Sequence, residues 1–333
     1  MSERFHDASR RAVVGGLAGG LLAAIDGPAS AQSGGSGGAA SSLENPQTAY
    51  PQPPFPRQQQ EWPGLGRRMQ PQPDTGEGSY RGSGRLQGRR ALVTGGDSGI
   101  GRAAVIAFAR EGADVAISYL PAEQPDAEDV ARIVREAGRK AVLLPGDIRE
   151  EAFCDRLVSD AVRELGGLDI LVNNAARQHA LESITELTTE LLDWTMKTNI
   201  YAMVWITRAA VPHLPPGAAI INTTSVVAYQ PPENLLDYAT TKGAIMVFTK
   251  ALAKQLAGKG IRVNGVAPGP IWTPLQVTGG QPPDRIPQFG AGTPLERPGQ
   301  PAELAPLYVL LASSESSYST GQIFGAVGGG GGP

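Results

Sequence analysis

From Leu86 onward the chain alternates between two hydrophobic rhythms. Short runs rich in Val, Ile, Leu and Ala recur as "RALVTG" (90–95), "DVAISY" (114–119), "KAVLLPG" (140–146), "LDILVNN" (168–174), "GAAIINTTS" (217–225), "IRVNGVAPG" (261–269) and "GQIFGAV" (321–327). Between them lie helical stretches at 99–111, 126–137, 150–165, 187–213 (read as two helices), 238–258 and 302–313. Strands joined by helix-sized connections call for a parallel sheet covered on both faces. The pattern predicts an α/β fold: one doubly wound domain with a mostly parallel, seven-stranded sheet over residues 86–333. No repeat of solenoid length interrupts it.

Before Leu86 the pattern fails, and composition takes over. Residues 1–31 begin charged, with Arg10 and Arg11, run into an apolar stretch from Ala12 to Ile25, and end in Ala29-Ser30-Ala31. The apolar part is too short and glycine-rich to span a bilayer comfortably, and the three parts in order look like a twin-arginine export signal with a small-x-small cleavage site. Residues 32–85 start as a Gly/Ser spacer and become rich in Pro, Gln and Gly, a composition that builds no core of its own. Tyr50, Phe55, Trp62 and Tyr80 are more aromatic than a spacer requires. The expectation is a tether at 32–50 and, over 53–85, an irregular extended arm laid on the folded domain or on a neighbouring subunit.

Charge and rare residues narrow the chemistry. A net charge of −3 over 333 residues offers no basic field for nucleic acid. One cysteine, Cys154, excludes an intrachain disulfide and a cysteine zinc site, and His6, His179 and His213 are too scattered for a histidine metal cluster. The expected chemistry is metal-free.

Two local patterns point to it. In "ALVTGGDSGIGRAAVIAFAREGADVAISY" (91–119), Gly95, Gly99 and Gly101 fall between a first strand and a first helix. Gly95 permits the tight turn, Gly99 the approach of a pyrophosphate, and Gly101 close packing of helix on strand, while the helix N-terminus faces the anion. In "DYATTKGAI" (237–245), Tyr238 and Lys242 stand four apart and share one helical face. A phenol titrates near ~10, and a neighbouring ammonium favours its ionised form, bringing it toward the range a proton shuttle needs.

The spacing Thr94-Gly-x-x-x-Gly-Ile100-Gly101 resembles the short-chain dehydrogenase/reductase family. "GDI" (146–148), "NNAA" (173–176), Asn199 in "TNI", Ser225 in "TTS" and "PGPIWT" (268–273) extend the resemblance in order over residues 86–328. It implies a Rossmann domain and an NAD(P)-dependent oxidoreductase moving hydride between nicotinamide and a small aldehyde, ketone or secondary alcohol. It also implies roles. Tyr238 exchanges the proton with the substrate oxygen and Ser225 positions that oxygen. Lys242 lowers the tyrosine pKa and holds the nicotinamide ribose, and Asn199 holds a water linking Lys242 to solvent. The cofactor is expected against Thr94, Gly95, Asp97, Ser98, Gly99, Ile100, Gly101, Tyr119, Asp147, Ile148, Asn174, Ala175, Tyr238, Lys242, Pro268, Gly269, Ile271 and Thr273. Ala176 stands where members more often carry glycine, which would narrow the groove. A homotetramer is implied, with 187–213 and 238–258 at its interfaces. Two alternatives stand beside it: an epimerase or dehydratase, which also uses tyrosine and lysine but usually carries Gly-x-x-Gly-x-x-Gly and a larger C-terminal domain, and a dinucleotide-binding sensor without turnover, which usually loses the tyrosine or the lysine.

The choice between NAD and NADP stays open. Tyr119 closes the second strand where an NAD-selecting aspartate would stand. Asp97, Glu123 and Asp126 are acidic, Ser98 and Ser118 are neutral, and Arg102, the nearest cation, lies on the helix. The segment 274–299 is expected to be a flap whose Leu275, Ile286, Phe289 and Leu295 form an apolar lid, with His179 beside the pocket or plainly on the surface. With the leader, the expectation is a periplasmic enzyme exported folded with its dinucleotide bound, without a stable membrane span. If the leader is not functional, it is a cytoplasmic enzyme.

Overall fold

The computed structural model describes residues 43–332, so the leader at 1–31 and most of the Gly/Ser spacer lie outside the described residues. Seven strands form: β1 (Arg90–Thr94), β2 (Asp114–Tyr119), β3 (Ala141–Pro145), β4 (Ile170–Asn173), β5 (Ala219–Thr223), β6 (Arg262–Pro268) and β7 (Ile323–Ala326). All pair in parallel in the order β3-β2-β1-β4-β5-β6-β7, so the mostly parallel sheet is parallel throughout. The chain leaves β1 toward β2 and returns to β4 on the other side. That reversal is the topological switch point, and ligands of such sheets bind in the crevice it opens at the strand C-termini.

Helices α1 (Gly99–Arg110), α2 (Gln124–Glu136), α3 (Glu151–Leu165), α4 (Thr189–Met196), α5 (Ala202–Ala210), α6 (Leu236–Leu256) and α7 (Pro301–Ala312) cover both faces. Ala104, Phe108 and Val105 of α1 pack with Tyr308 and Leu304 of α7 on one face; Leu157 of α3, Ile206 of α5 and Leu256 of α6 pack on the other. Burial on both faces is why the strands read as continuous apolar runs instead of alternating ones. The stretch 187–213 is not two separate helices. A π-turn at Lys197–Tyr201 joins α4 to α5 with helical backbone angles on both sides. It turns Thr198 and Asn199 inward, where both are buried.

The arm is the largest departure from a domain beginning at Leu86, because one compact unit spans Glu44–Pro333. Docking begins inside the stretch expected to be tether: Arg297 donates from Nε to the Pro46 carbonyl at 2.8 Å and stacks its guanidinium 5.1 Å from the Tyr50 ring centre. Phe55 then stacks on Trp272 with centroids 4.4 Å apart, in a cluster with Met69, Val277, Ile286 and Phe289. The arm's end is held by Glu111, fully buried, whose carboxylate accepts from Tyr80 Oη at 2.6 Å and from Arg85 Nη2 at 2.7 Å. Against the upward push of burial, those donors hold the Glu111 carboxyl down to about 2. The four aromatics that seemed too many for a spacer are its anchors.

The flap 274–299 is therefore no free lid. Phe55 N donates to the Pro287 carbonyl and Gln60 N to the Val277 carbonyl, both at 2.9 Å. Ile286 and Phe289 face the arm cluster as expected of apolar lid residues, but Leu295 is only half-buried, its N–H bonded to Gly328 at the far end of the segment.

Candidate active site

One groove, about 1620 Å³ counted to its open mouth, runs along the C-terminal ends of the strands. The β1–α1 turn forms its floor. Gly99 has φ +52°, and a Cβ on Gly101 would sit 2.0 Å from the Gly95 carbonyl oxygen, so both positions demand glycine. No side chain caps the first turn of α1, which leaves its N–H groups for an anion. A cradle that any Cβ would fill, next to uncapped helix amides, fits a dinucleotide pyrophosphate. Gly95, Asp97, Ser98, Gly99, Ile100 and Tyr119 would hold the adenosine and phosphate half; Asp147, Ile148, Asn174 and Ala175 line the middle, with Ala176 beside them. Pro268, Gly269, Ile271 and Thr273 line the opposite wall.

Ser225, Tyr238 and Lys242 meet at the far end. Ser225 lies two residues beyond β5 in extended backbone, and its Oγ accepts from Val227 N at 3.3 Å while the side chain lines the groove. Tyr238 and Lys242 project together from the first turns of α6, with Nζ 5.3 Å from the phenol ring centre. Lys242 Nζ donates to the Thr223 carbonyl at 2.8 Å, which fixes the ammonium at the base of the site. Tyr238 is 6% exposed and Lys242 2%.

Burial dominates the electrostatics of the pair. Burial pushes the Tyr238 phenol above its ordinary range, with the Ser225 hydroxyl pulling the other way, and burial pulls Lys242 down to about 7. Desolvation is the first cause at both groups and disfavours the charged form of each. The stability consequence follows from proton counting. A lysine whose folded pKa lies below its ordinary 10.5 binds fewer protons folded than unfolded between pH 7 and 10.5, so its contribution to stability rises with pH across that window. Lys242→Met is expected to melt higher than the unsubstituted protein near neutral pH, with the gap closing as pH approaches 10.5. Melting curves of both proteins across that range check it; a gap independent of pH would mean the amine is hydrated.

Three expected contact residues stand behind the groove instead of in it. Thr94 Oγ1 accepts from Asn174 N at 2.9 Å and Ala175 N at 3.1 Å, tying β1 to the segment after β4. Gly101 packs against the turn. Asn199 is fully occupied: its Oδ1 accepts from Arg177 N at 2.7 Å, and its Nδ2 donates to the Arg177 carbonyl and to Thr241 Oγ1. Its side-chain amide ties the π-turn to the segment after β4 and to α6. His179 lies half-buried beside Gly279, outside the groove lining.

The groove also has a wall that motif spacing missed. Trp62, Pro63 and Gly64 of the arm line it. Trp62 meets Trp194 of α4 edge-on at 5.1 Å, and Trp194 carries the guanidinium groups of Arg149 and Arg177 at 4.6 and 4.4 Å. Leu65 N bonds Gln60 Oε1, and Gly66 N bonds Asp126 Oδ2 at 2.7 Å, so the strap runs from α4 to α2. Its only sequence signal was an aromatic residue where a spacer needs none.

With this geometry in view, comparison with known proteins assigns the family. Residues 95–330 match the family described as enoyl-(acyl carrier protein) reductase. The chain is a short-chain dehydrogenase/reductase. It is 60% identical over 292 residues to the Bacillus subtilis protein named uncharacterized oxidoreductase YhxD, covering 87% of this chain and 98% of that one. That match is longer than the stretch from Leu86 to the end, so it reaches into the arm. It is 45% identical over 273 residues to a protein of Arabidopsis thaliana named NADPH-dependent aldehyde reductase 1, chloroplastic, covering 80% and 94% of the two chains. A short-chain dehydrogenase of Burkholderia cenocepacia, solved in complex with NADP, superposes with a TM-score of 0.69 at 33% identity, covering 74% of this chain and 98% of that one. This short-chain dehydrogenase/reductase is an NAD(P)-dependent oxidoreductase. No group of metal-ligating side chains occurs among the described residues, and no helix among them is long and apolar enough to cross a membrane.

Proposed function

We propose that the protein reduces small aldehydes or ketones, and oxidises the matching alcohols, with Tyr238 as the acid/base. The observation that carries this is the convergence of Ser225, Tyr238 and Lys242 at one end of a groove whose other end is the glycine cradle. When bound, the nicotinamide supplies or accepts the hydride. Tyr238 gives its Oη proton to the carbonyl oxygen and takes it back in the reverse direction. The Ser225 hydroxyl orients that oxygen. Lys242, held by the Thr223 carbonyl, becomes an effective partner of the phenol only when ionised. A positively charged nicotinamide beside the phenol would favour phenolate and oppose the desolvation that now holds the proton on.

Leu235, Val227, Leu275 and Phe289 line the same end and suit a small, largely apolar substrate. The aldehyde assignment is supported by the name of the Arabidopsis relative. The test is loss of reduced-nicotinamide absorbance against a panel of aldehydes and ketones, with alcohols assayed in reverse. Silence across the panel, with dinucleotide bound, would count against the proposal.

Two further expectations remain proposals. A homotetramer is supported by exposed apolar side chains on α4–α5 (Leu192, Tyr201, Val204) and α6 (Leu236, Val247), and light scattering tests it. Periplasmic export with bound dinucleotide rests on residues 1–31, and fractionation with sequencing of the mature N-terminus tests it.

A further inference from the structure

We propose that Trp62-Pro63-Gly64 of the arm closes over a bound dinucleotide and keeps it in place from one turnover to the next, so that the protein passes hydride from an alcohol to a second carbonyl compound without free dinucleotide. This rests on the carbonyl/alcohol activity proposed above and adds a second reacting partner to it.

The strap crosses the groove. It enters from the flap, where Gln60 N donates to the Val277 carbonyl at 2.9 Å. The Gln60 side chain then closes the loop at its neck: Oε1 accepts from Leu65 N at 2.9 Å and Nε2 donates to the Leu65 carbonyl at 3.1 Å. Gly64 lies against Thr278 and Pro274, too near Thr278 to admit a Cβ, and Pro274 in turn lies beside Gly99 of the cradle. On the other wall Trp62 meets Trp194, whose ring carries Arg149 of the lining. The exit is fixed by Gly66 N on Asp126 Oδ2 at 2.7 Å. The flap follows β6 and α2 follows β2, so the anchors stand on either side of the crevice between β1 and β4. A segment tied down on both sides beside the phosphate cradle bars the path by which a pyrophosphate leaves.

The substrate end carries no such bar. Of the arm, only residues 62–64 line the groove. Their partners are Pro274, Thr278 and Trp194, not the stretch from Ser225 to Lys242 that carries the chemistry. A small alcohol or carbonyl compound can exchange there with the strap down, whereas a dinucleotide must wait for it to lift.

The reaction balances without an outside oxidant or reductant. The alcohol carbon gives up a hydride and its hydroxyl gives up a proton to Tyr238 as the C=O bond forms. That product leaves and a second carbonyl compound takes its place. Its carbon receives the hydride, kept meanwhile on the nicotinamide, and its oxygen takes the proton back from Tyr238. One alcohol is oxidised, one carbonyl compound is reduced, and the dinucleotide ends as it began.

The first measurement is release. Full-length protein loaded with NADH, and separately with NADPH, is mixed with an excess of the oxidised dinucleotide while nicotinamide fluorescence is followed. Release from Trp62→Ala is expected to be at least about fivefold faster than from the unsubstituted protein, the order of one lost aromatic pair. Trp62→Phe, which keeps an edge for Trp194, is expected to restore most of the difference. In the second measurement the loaded protein, cleared of free dinucleotide, receives a C1-deuterated primary alcohol and an aldehyde of different chain length, both active in the panel assay. A phosphodiesterase is present to destroy any dinucleotide that escapes. The expected result is deuterium in the alcohol formed from the aldehyde, over many turnovers per bound dinucleotide, and early arrest of that transfer in Trp62→Ala. Release from the unsubstituted protein as fast as from Trp62→Ala would overturn the strap's hold. Slow release with transfer arrested within a turnover or two would overturn the two-substrate reaction. Silence toward every aldehyde and alcohol would count against the carbonyl/alcohol activity itself and is distinguishable, because release is measured without substrate.

Discussion

Tyr238→Phe is expected to lower kcat by about 10²–10⁴-fold, the usual worth of a positioned proton donor, while dinucleotide affinity and melting temperature stay close to those of the unsubstituted protein. The substitution keeps the ring, which is buried and therefore packed, and removes only Oη. No neighbour can take over. Tyr308, the buried phenol nearest in kind, shares a 2.7 Å hydrogen bond with Thr223 Oγ1 and does not line the groove. Ser225 lines it, but an unassisted hydroxyl is a poor donor near neutral pH. Steady-state rates with saturating dinucleotide, alongside the binding titration, separate a chemical loss from a binding loss. A near-normal kcat would remove Tyr238 from the mechanism.

Phe55→Ala is expected to destabilise the protein by about 3–5 kcal/mol, the range for truncating a buried aromatic. The ring is 5% exposed, stacks on Trp272 and sits among Met69, Ile286 and Phe289. At about 2–4 °C per kcal/mol for a domain of this size, the loss is plain in a melting curve. A second effect should follow. Phe55 anchors the arm ahead of Trp62-Pro63-Gly64, so loosening it should speed dinucleotide release, measurable by stopped-flow displacement. Unchanged melting would mean the arm is laid on the surface and adds nothing to the fold. Lower melting with unchanged release would mean that residues 62–64 hold their place without that anchor.

What could be read in advance divides along physical lines. The strands were legible because burial on both faces leaves dense Val/Ile/Leu runs. The cradle was legible because Gly99 and Gly101 occupy positions where a Cβ would clash or strain the backbone. Tyr238 and Lys242 were legible because helix geometry alone brings residues four apart to one face. The side-chain contacts of Asn199 were not legible for the opposite reason. Its partners, Arg177 and Thr241, come from other segments, and the π-turn that swings it toward them leaves no clear mark in composition. The joining of α4 and α5 into one helical run went unseen for the same cause.

Local sequence, acting over a few residues, settled the element order, the anion-binding turn and the shared face of phenol and ammonium. Only the folded chain decided that the Pro/Gln-rich arm completes the core, that Glu77 of the arm holds Arg102, and that burial disfavours the charged forms of Tyr238 and Lys242. Those outcomes depend on which distant groups share a dry volume, and on how much water each gives up to be there.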